Sequence, residues 1–170
     1  MKKLNRKGFT LIELLAVVVI LAIIVVVTVP TILSSIDDAR LSTINSLSKE
    51  VATWYDEGKV SDEMAFGSNY VSILNGATAD TSWKCLGSVM GTATGKTDKS
   101  LADMYGLTDT DLVLTGTAPT SDSTTPTKGT CSAIRVVDGH AEVILIGADS
   151  GKFKDKGSYS ESANGVKLDS

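Results

Sequence analysis

Residues 14–29 read LLAVVVILAIIVVVTV, sixteen consecutive positions with no charge and a single hydroxyl. A segment that is apolar on every side cannot serve as an ordinary surface helix, which needs one wet face. Taken from Phe9 to Leu33, the mostly apolar stretch reaches 25 residues. A helix rising about 1.5 Å per residue needs about 20 to cross a bilayer's hydrocarbon. The length therefore suits a membrane span. In a chain of 170 residues, room remains after it for one modest domain with an economical core.

Charge is distributed unevenly around this segment. Lys2, Lys3, Arg6 and Lys7 all precede it, an arrangement that holds the N-terminus in the cytoplasm and sends the rest across. Setting these four aside lowers Lys plus Arg from 16 to 12 against 20 acids, so the formal net charge moves from −4 to −8. A domain this acidic is poorly suited to attract phosphate backbones or an anionic membrane surface. Nucleic acid is not expected as a main partner.

A secretory signal peptide would place small residues in an Ala-x-Ala-like site after its apolar core. The exit here reads VTVPTILSSI, with bulky and β-branched residues instead. A plain membrane anchor fits the composition equally well, and what sets this segment apart is Glu13. A carboxylate within an apolar helix costs a few kcal/mol unless paired or neutralised, which marks it as a functional position. A capping box, with Thr10 as N-cap and Glu13 three residues later, accounts for the same spacing in a purely structural way. It does not account for a basic peptide ending in Gly8 directly before Phe9.

Residues 7–15, KGFTLIELL, resemble the class III signal sequence of type IV prepilins and pseudopilins, and the similarity extends over roughly residues 1–35. The resemblance implies that an aspartyl prepilin peptidase cleaves between Gly8 and Phe9 and methylates the new amine of Phe9. It assigns Glu13 to assembly: the Phe9 amine of one subunit would neutralise Glu13 of a neighbour in the filament. The competing arrangement joins the two groups within one helix, where they lie one turn apart. Implied partners are further copies of the chain, the prepilin peptidase, an inner-membrane platform protein and a cytoplasmic assembly ATPase. The implied location is the cell membrane before assembly and an extracellular pilus afterwards.

Pro30 interrupts the helical pattern by removing an amide donor and crowding the carbonyl of Val26, so a kink is expected near residues 26–30. Residues 23–29, IIVVVTV, are all β-branched, which lowers intrinsic helicity there. Beyond it, Leu33, Ile36, Ile44, Leu47, Val51 and Trp54 recur at helical spacing, with Arg40 inside the stripe. Gly58 is a natural stop. These signals divide the chain into a basic leader at 1–8, a long helix at 9–57, and an extracellular globular head at 58–170.

In the head, residues 60–75 suggest a short helix or turn around Phe66, Tyr70 and Leu74. SLADMYG suggests one helical turn started by Ser100 and ended by Gly106, and DLVLTG at 111–116 reads as a strand. Residues 131–147 carry the clearest signal: Asp138–Gly139 is a two-residue hairpin turn that pairs Arg135 with Glu142 and Ile134 with Val143. The Arg135–Glu142 contact is expected at the surface and under about 1 kcal/mol. Residues 115–130, TGTAPTSDSTTPTKGT, read as a flexible solvated loop. A final strand beyond Lys152 is one option for the tail.

Cys85 and Cys131 are either a disulfide, permitted outside the cytoplasm, or two buried thiols. No catalytic constellation is visible. One histidine, His140, with two cysteines is too few for a closed zinc site, no phosphate-binding glycine loop occurs, and neither a metal nor a cofactor is expected. The expected fold is α+β, a long N-terminal helix on a small antiparallel sheet. The expected function is non-enzymatic: a structural subunit of a type IV pilus, with adhesion, motility and biofilm roles implied by the resemblance. The alternatives are a minor pilin or pseudopilin of a DNA-uptake or secretion system, and a membrane-anchored binding module or enzyme.

Overall fold

The computed structural model describes residues 9–66, 82–88 and 100–168. Helix α1 (Leu11–Phe66) is followed by β1 (Lys84–Cys85), the single turn α2 (Leu101–Met104), β2 (Ala133–Val137), β3 (His140–Ile146), β4 (Lys156–Tyr159) and β5 (Val166–Lys167). The chain divides into two compact units, residues 1–38 and 39–170. The architecture is α+β, with a five-stranded antiparallel sheet whose strands lie in sequence order.

Helix α1 continues past the expected stop. It runs through Gly58 to Phe66. A glycine inside a helix costs roughly 1 kcal/mol relative to alanine, too little to end one that is otherwise supported. The residues that follow, KVSDEMAF, include the good helix formers Lys, Glu, Met and Ala. Tyr70 and Leu74 lie outside the described residues.

Within the second unit, α1 buries a stripe of Ile44, Val51, Ala52 and Tyr55. It meets Leu86, Leu112, Leu114, Ile134, Val136, Ala141, Val143, Leu145 and Phe153 in one core cluster. Ten or more such side chains, each stabilising by roughly 1.5–3 kcal/mol on full burial, supply most of the drive to fold. The stripe also contains two polar residues, Asn45 and Ser48. The Ser48 and Ser158 hydroxyls are 2.9 Å apart, the Ser158 hydroxyl donates to Asn45 Oδ1 at 2.8 Å, and Asn45 Nδ2 donates to the Ala163 carbonyl at 2.9 Å. This chain of bonds ties α1 to β4 and to the segment after it.

The β2–β3 hairpin has the anticipated register, Val136 opposite Ala141, Arg135 opposite Glu142 and Ile134 opposite Val143. Its turn requires two left-handed residues, and Asp138 (φ 51°) and Gly139 (φ 84°) supply them. The second amide after the turn pair is also held, since Ala141 N donates to Asp56 Oδ1 of α1 at 2.9 Å.

The far face of the sheet carries a second core: Trp83, Cys85, Cys131, Ala133, Ile144, Ile146 and Leu168. Cys85 and Cys131 are joined in a disulfide within it, Cα atoms 5.6 Å apart and 46 positions apart in sequence. Three expectations are corrected on this side. Arg135 is not a surface residue: it is 9% exposed, its Nε donates to Glu142 Oε2 at 2.7 Å, Nη1 donates to the Ser121 carbonyl, and its guanidinium lies 4.5 Å over the Trp83 ring. Loop 115–130 is not a free connector. Its mouth is closed by a Thr117–Thr130 bridge and Pro119 and Pro126 are buried. Trp83 Nε1 donates to the Ser123 carbonyl at 2.9 Å. The Lys128 ammonium meets Asp155 at 2.9 Å, which raises the lysine's pKa and lowers the aspartate's.

DLVLTG, the third, is not a strand. Val113 N donates to the Ile146 carbonyl, its own carbonyl accepts from Ser132 N, and the Leu114 carbonyl accepts from Gly87 N. Bonds to three separate segments form no ladder, and only a Leu112–Gly147 bridge results. Glycine is required at 147, where an added Cβ would fall 1.8 Å from the Phe153 carbonyl oxygen. α2 has the expected start, with Asp103 N donating to Ser100 Oγ and Ser100 N donating to Asp103 Oδ2, both at 3.1 Å. The tail contributes two strands, β4 and β5, rather than one.

Candidate functional site

The N-terminal turn of α1 is organised by Thr10 and Glu13. The Thr10 amide donates to Glu13 Oε2 at 2.9 Å and the Thr10 hydroxyl donates to the same oxygen at 2.7 Å. Glu13 N in turn donates to the Thr10 carbonyl at 3.1 Å. The glutamate side of a capping box is therefore present: a first-turn carboxylate satisfies an amide that the helix leaves without a partner. A carboxylate at this end also opposes the positive pole of the helix dipole. Both contacts fall on one carboxylate oxygen, and among the described residues Oε1 has no hydrogen-bond partner.

Everything around this turn is exposed. Phe9 is 85% accessible and Leu11 84%. Every large apolar residue from Phe9 to Ile36 named in the helix keeps more than two fifths of its surface open, Ile36 being the least open at 42%. The helix is long and apolar enough to cross a membrane, and its most apolar window has no part buried inside the chain. A soluble protein does not leave a surface of this kind bare. Among the described residues of its own unit nothing covers it.

Helical assignment is unbroken through Pro30. Around it the hydroxyls turn inward on the backbone: Thr28 donates to the Ile24 carbonyl, Thr31 to that of Val27, and Ser34 and Ser35 both to that of Thr31. In an apolar medium these bonds hide four hydroxyls that would otherwise be costly, and back-bonding of this type bends helices slightly.

The site residues marked in the sequence fall into four groups. Glu13 and Thr10 are in contact, and Phe9 immediately precedes them. Gly8, on the other side of the candidate cut, lies outside the described residues, as do Lys2, Lys3, Arg6 and Lys7. Cys85 and Cys131 belong to the second core of the head and are bonded to each other. His140 is a turn-side residue, its side chain 83% exposed and its Nδ1 3.5 Å from Asp56 Oδ2. Among the described residues no three His, Cys, Asp or Glu side chains are grouped to hold a metal ion.

Sequence reasoning missed the Asn45–Ser48–Ser158 chain and the Arg135–Trp83–Ser121 contacts. The first had a signal: Asn45 and Ser48 sit at helical spacing on the face that also carries Ile44 and Val51. The second had none, because Arg135 lies 52 positions from Trp83 and 14 from Ser121 in the chain.

Residues 3–29 match the family model of the prokaryotic N-terminal methylation motif, the class III signal of type IV pilins. Searches of curated proteins and of solved structures returned no match to the chain.

Proposed function

We propose that this chain is made as a precursor, anchored by α1, cut between Gly8 and Phe9, and assembled as a structural subunit of an extracellular type IV pilus. The observation that carries the reading is the coincidence of the methylation motif with Glu13, placed one turn after Phe9 on an otherwise apolar and uncovered helix. Cleavage would create an ammonium at Phe9 beside a carboxylate at Glu13. In hydrocarbon each charge alone costs roughly 2.5–3.5 kcal/mol on insertion scales. Pairing them across subunits removes both costs only in the correct register, so the pair selects one stacking offset. Thr10 occupies Glu13 Oε2 and leaves Oε1 to receive the neighbour's amine.

On this reading residues 1–8 are the leader, 9–57 anchor and then line the filament core, and 58–170 form the exposed head. The basic leader keeps the N-terminus cytoplasmic before processing. The peptidase, a platform protein, an assembly ATPase and other copies of the chain are the partners. Pro30 and the β-branched run before it make residues 23–30 the point at which the packed helix bends most readily.

Mass spectrometry of the protein sheared from the surface of its source cell tests this. The expected species begins at N-methylated Phe9 and comes from fibres visible by electron microscopy. Its abundance in those fibres separates a dominant subunit from a minor pilin or pseudopilin. A surface protein that retains Met1 and yields no fibres overturns the proposal.

A further inference from the structure

The segment between β4 and β5 is held at both ends. On one side the Ala163 carbonyl accepts from Asn45 Nδ2 of α1 at 2.9 Å. On the other, Val166 pairs with Gly157, and Leu168 N donates to the Asp155 carbonyl at 2.9 Å. Between these anchors stand Asn164, which is exposed, and Gly165. An added Cβ at Gly165 would fall 2.7 Å from the Leu41 carbonyl oxygen, so packing against α1 requires glycine there.

An asparagine followed by glycine brings a carboxamide carbon within reach of the next backbone nitrogen, and closing the five-membered ring needs no encounter step. Glycine has no side chain to obstruct the approach. In this turn both reacting groups are available: among the described residues neither the Asn164 side chain nor the Gly165 amide makes a hydrogen bond. The Ser162 hydroxyl donates to the Asn164 carbonyl at 2.9 Å. When Gly165 N loses its proton, the charge is shared with that carbonyl oxygen, and a hydrogen bond to a charged form favours it. Comparable positions elsewhere are blocked. Asn45 lies within α1 with both atoms of its side-chain amide bonded. Asp138–Gly139 is clamped by the pairing of Val137 with His140.

We propose that Asn164 modifies itself within the folded head, exchanging its side-chain amide for a carboxylate through a cyclic imide with Gly165. Gly165 N gives its proton to hydroxide or water and attacks Asn164 Cγ, forming a new C–N bond. The side-chain nitrogen leaves as ammonia, taking the bonding pair and a proton from water. Water then opens the imide at either carbonyl. Breaking the new Cγ–N bond leaves aspartate; breaking the original peptide C–N bond leaves isoaspartate, whose main chain holds one extra methylene. Water is the only co-reactant and nothing is oxidised or reduced. With Ala163 tied to α1 and Val166 paired to β4, the added methylene is absorbed only by releasing one of these anchors, so isoaspartate loosens this end of the sheet.

Trypsin cuts after Lys156 and Lys167, which places Asn164 in peptide 157–167. The test ages the full-length, detergent-solubilised protein in heavy-oxygen water at neutral and at mildly acidic pH. Digestion in ordinary water then leaves unlabelled any change made after unfolding. The expected result is a heavy-oxygen carboxylate at Asn164 that accumulates with time and several-fold more slowly at acidic pH, with isoaspartate exceeding aspartate by electron-transfer fragmentation. Ser162→Ala should slow the accumulation several-fold, and Asn164→Gln should show no label at this position. Asn164 remaining unlabelled in the wild type overturns the proposal, and equal rates in wild type and Ser162→Ala overturn the part assigned to Ser162. Thermal unfolding of both variants close to that of the wild type establishes that a changed rate is not a changed fold. The outcome is independent of whether the chain forms filaments.

Discussion

One helix carries two surfaces with opposite requirements. From Phe9 to Ile36 it is apolar on all sides and open all round, and the one acid there is held by its own helix end. From Ile44 to Tyr55 it is amphipathic, with one stripe buried by the chain itself and a polar chain of Asn45, Ser48 and Ser158 inside that stripe. The same backbone geometry thus serves a segment that the described residues leave uncovered and one that is covered by the chain's own sheet. The difference teaches where to look for function. Where folding already satisfies every group, residues explain stability; where it leaves a carboxylate and an apolar face without cover, they point to a partner.

Variants that act on only one of these surfaces sharpen the contrast. Glu13→Val has the largest expected effect. It should leave processing at Gly8–Phe9 intact and abolish most filament yield, counted on sheared surface material, while the head unfolds at the wild-type temperature. Wild-type fibre numbers from this variant would break the separation between the two surfaces. The converse is Cys85→Ala/Cys131→Ala. Opening a loop of 46 positions should cost about 4 kcal/mol of head stability by chain entropy, read by near-UV circular dichroism on detergent-solubilised protein, with membrane anchoring unchanged.

Smaller effects probe the head in more detail. Arg135→Ala should cost roughly 2–3 kcal/mol, because it removes the cation paired with the part-buried Glu142 and the clamp on the Ser121 carbonyl. A loss under about 0.5 kcal/mol would restore the surface-pair reading that the sequence suggested. Ser48→Ala should cost about 1–2 kcal/mol by depriving Ser158 of a buried partner. Adding Ser158→Ala should then cost less than it does alone, since the shared bond is already gone.

The smallest effect is pH-dependent. Lys152 Nζ lies 2.8 Å from Asp111, and this hydrogen bond holds the carboxyl below the usual aspartate range against an opposing burial contribution. With a lowered folded pKa, the stabilisation is fully present above the ordinary value of about 3.9 and is lost as pH falls through the folded value. Both side chains are partly exposed, so Asp111→Asn should cost less than about 1 kcal/mol at neutral pH. It should also flatten the stability profile below about pH 4. An unchanged acid limb in a urea titration series would show that Asp111 contributes nothing there.

Much of this protein was legible in its residues. Local and periodic signals carried the long helix, the hairpin register and the Ser100 start of α2, because each depends on near neighbours. Glu13 was conspicuous for the same reason: one charge against an unbroken apolar background. Misreadings arose where a local pattern met a distant partner. DLVLTG has strand composition, yet its bonds are divided among Ile146, Ser132 and Gly87. Loop 115–130 has the composition of a flexible tether, yet Arg135 and Trp83 pin its carbonyls.

The apolar span, the basic flank, the candidate cut at Gly8–Phe9 and the isolated acid at Glu13 are properties of consecutive residues, and the sequence by itself determined them. Only the tertiary structure decided that Cys85 and Cys131 are joined, that Arg135 is buried, and that Ser48 reaches Ser158. Those contacts close over separations of 46, 14 and 110 positions. No local propensity encodes them; the sheet and helix must first be packed, and packing then selects which distant polar groups meet.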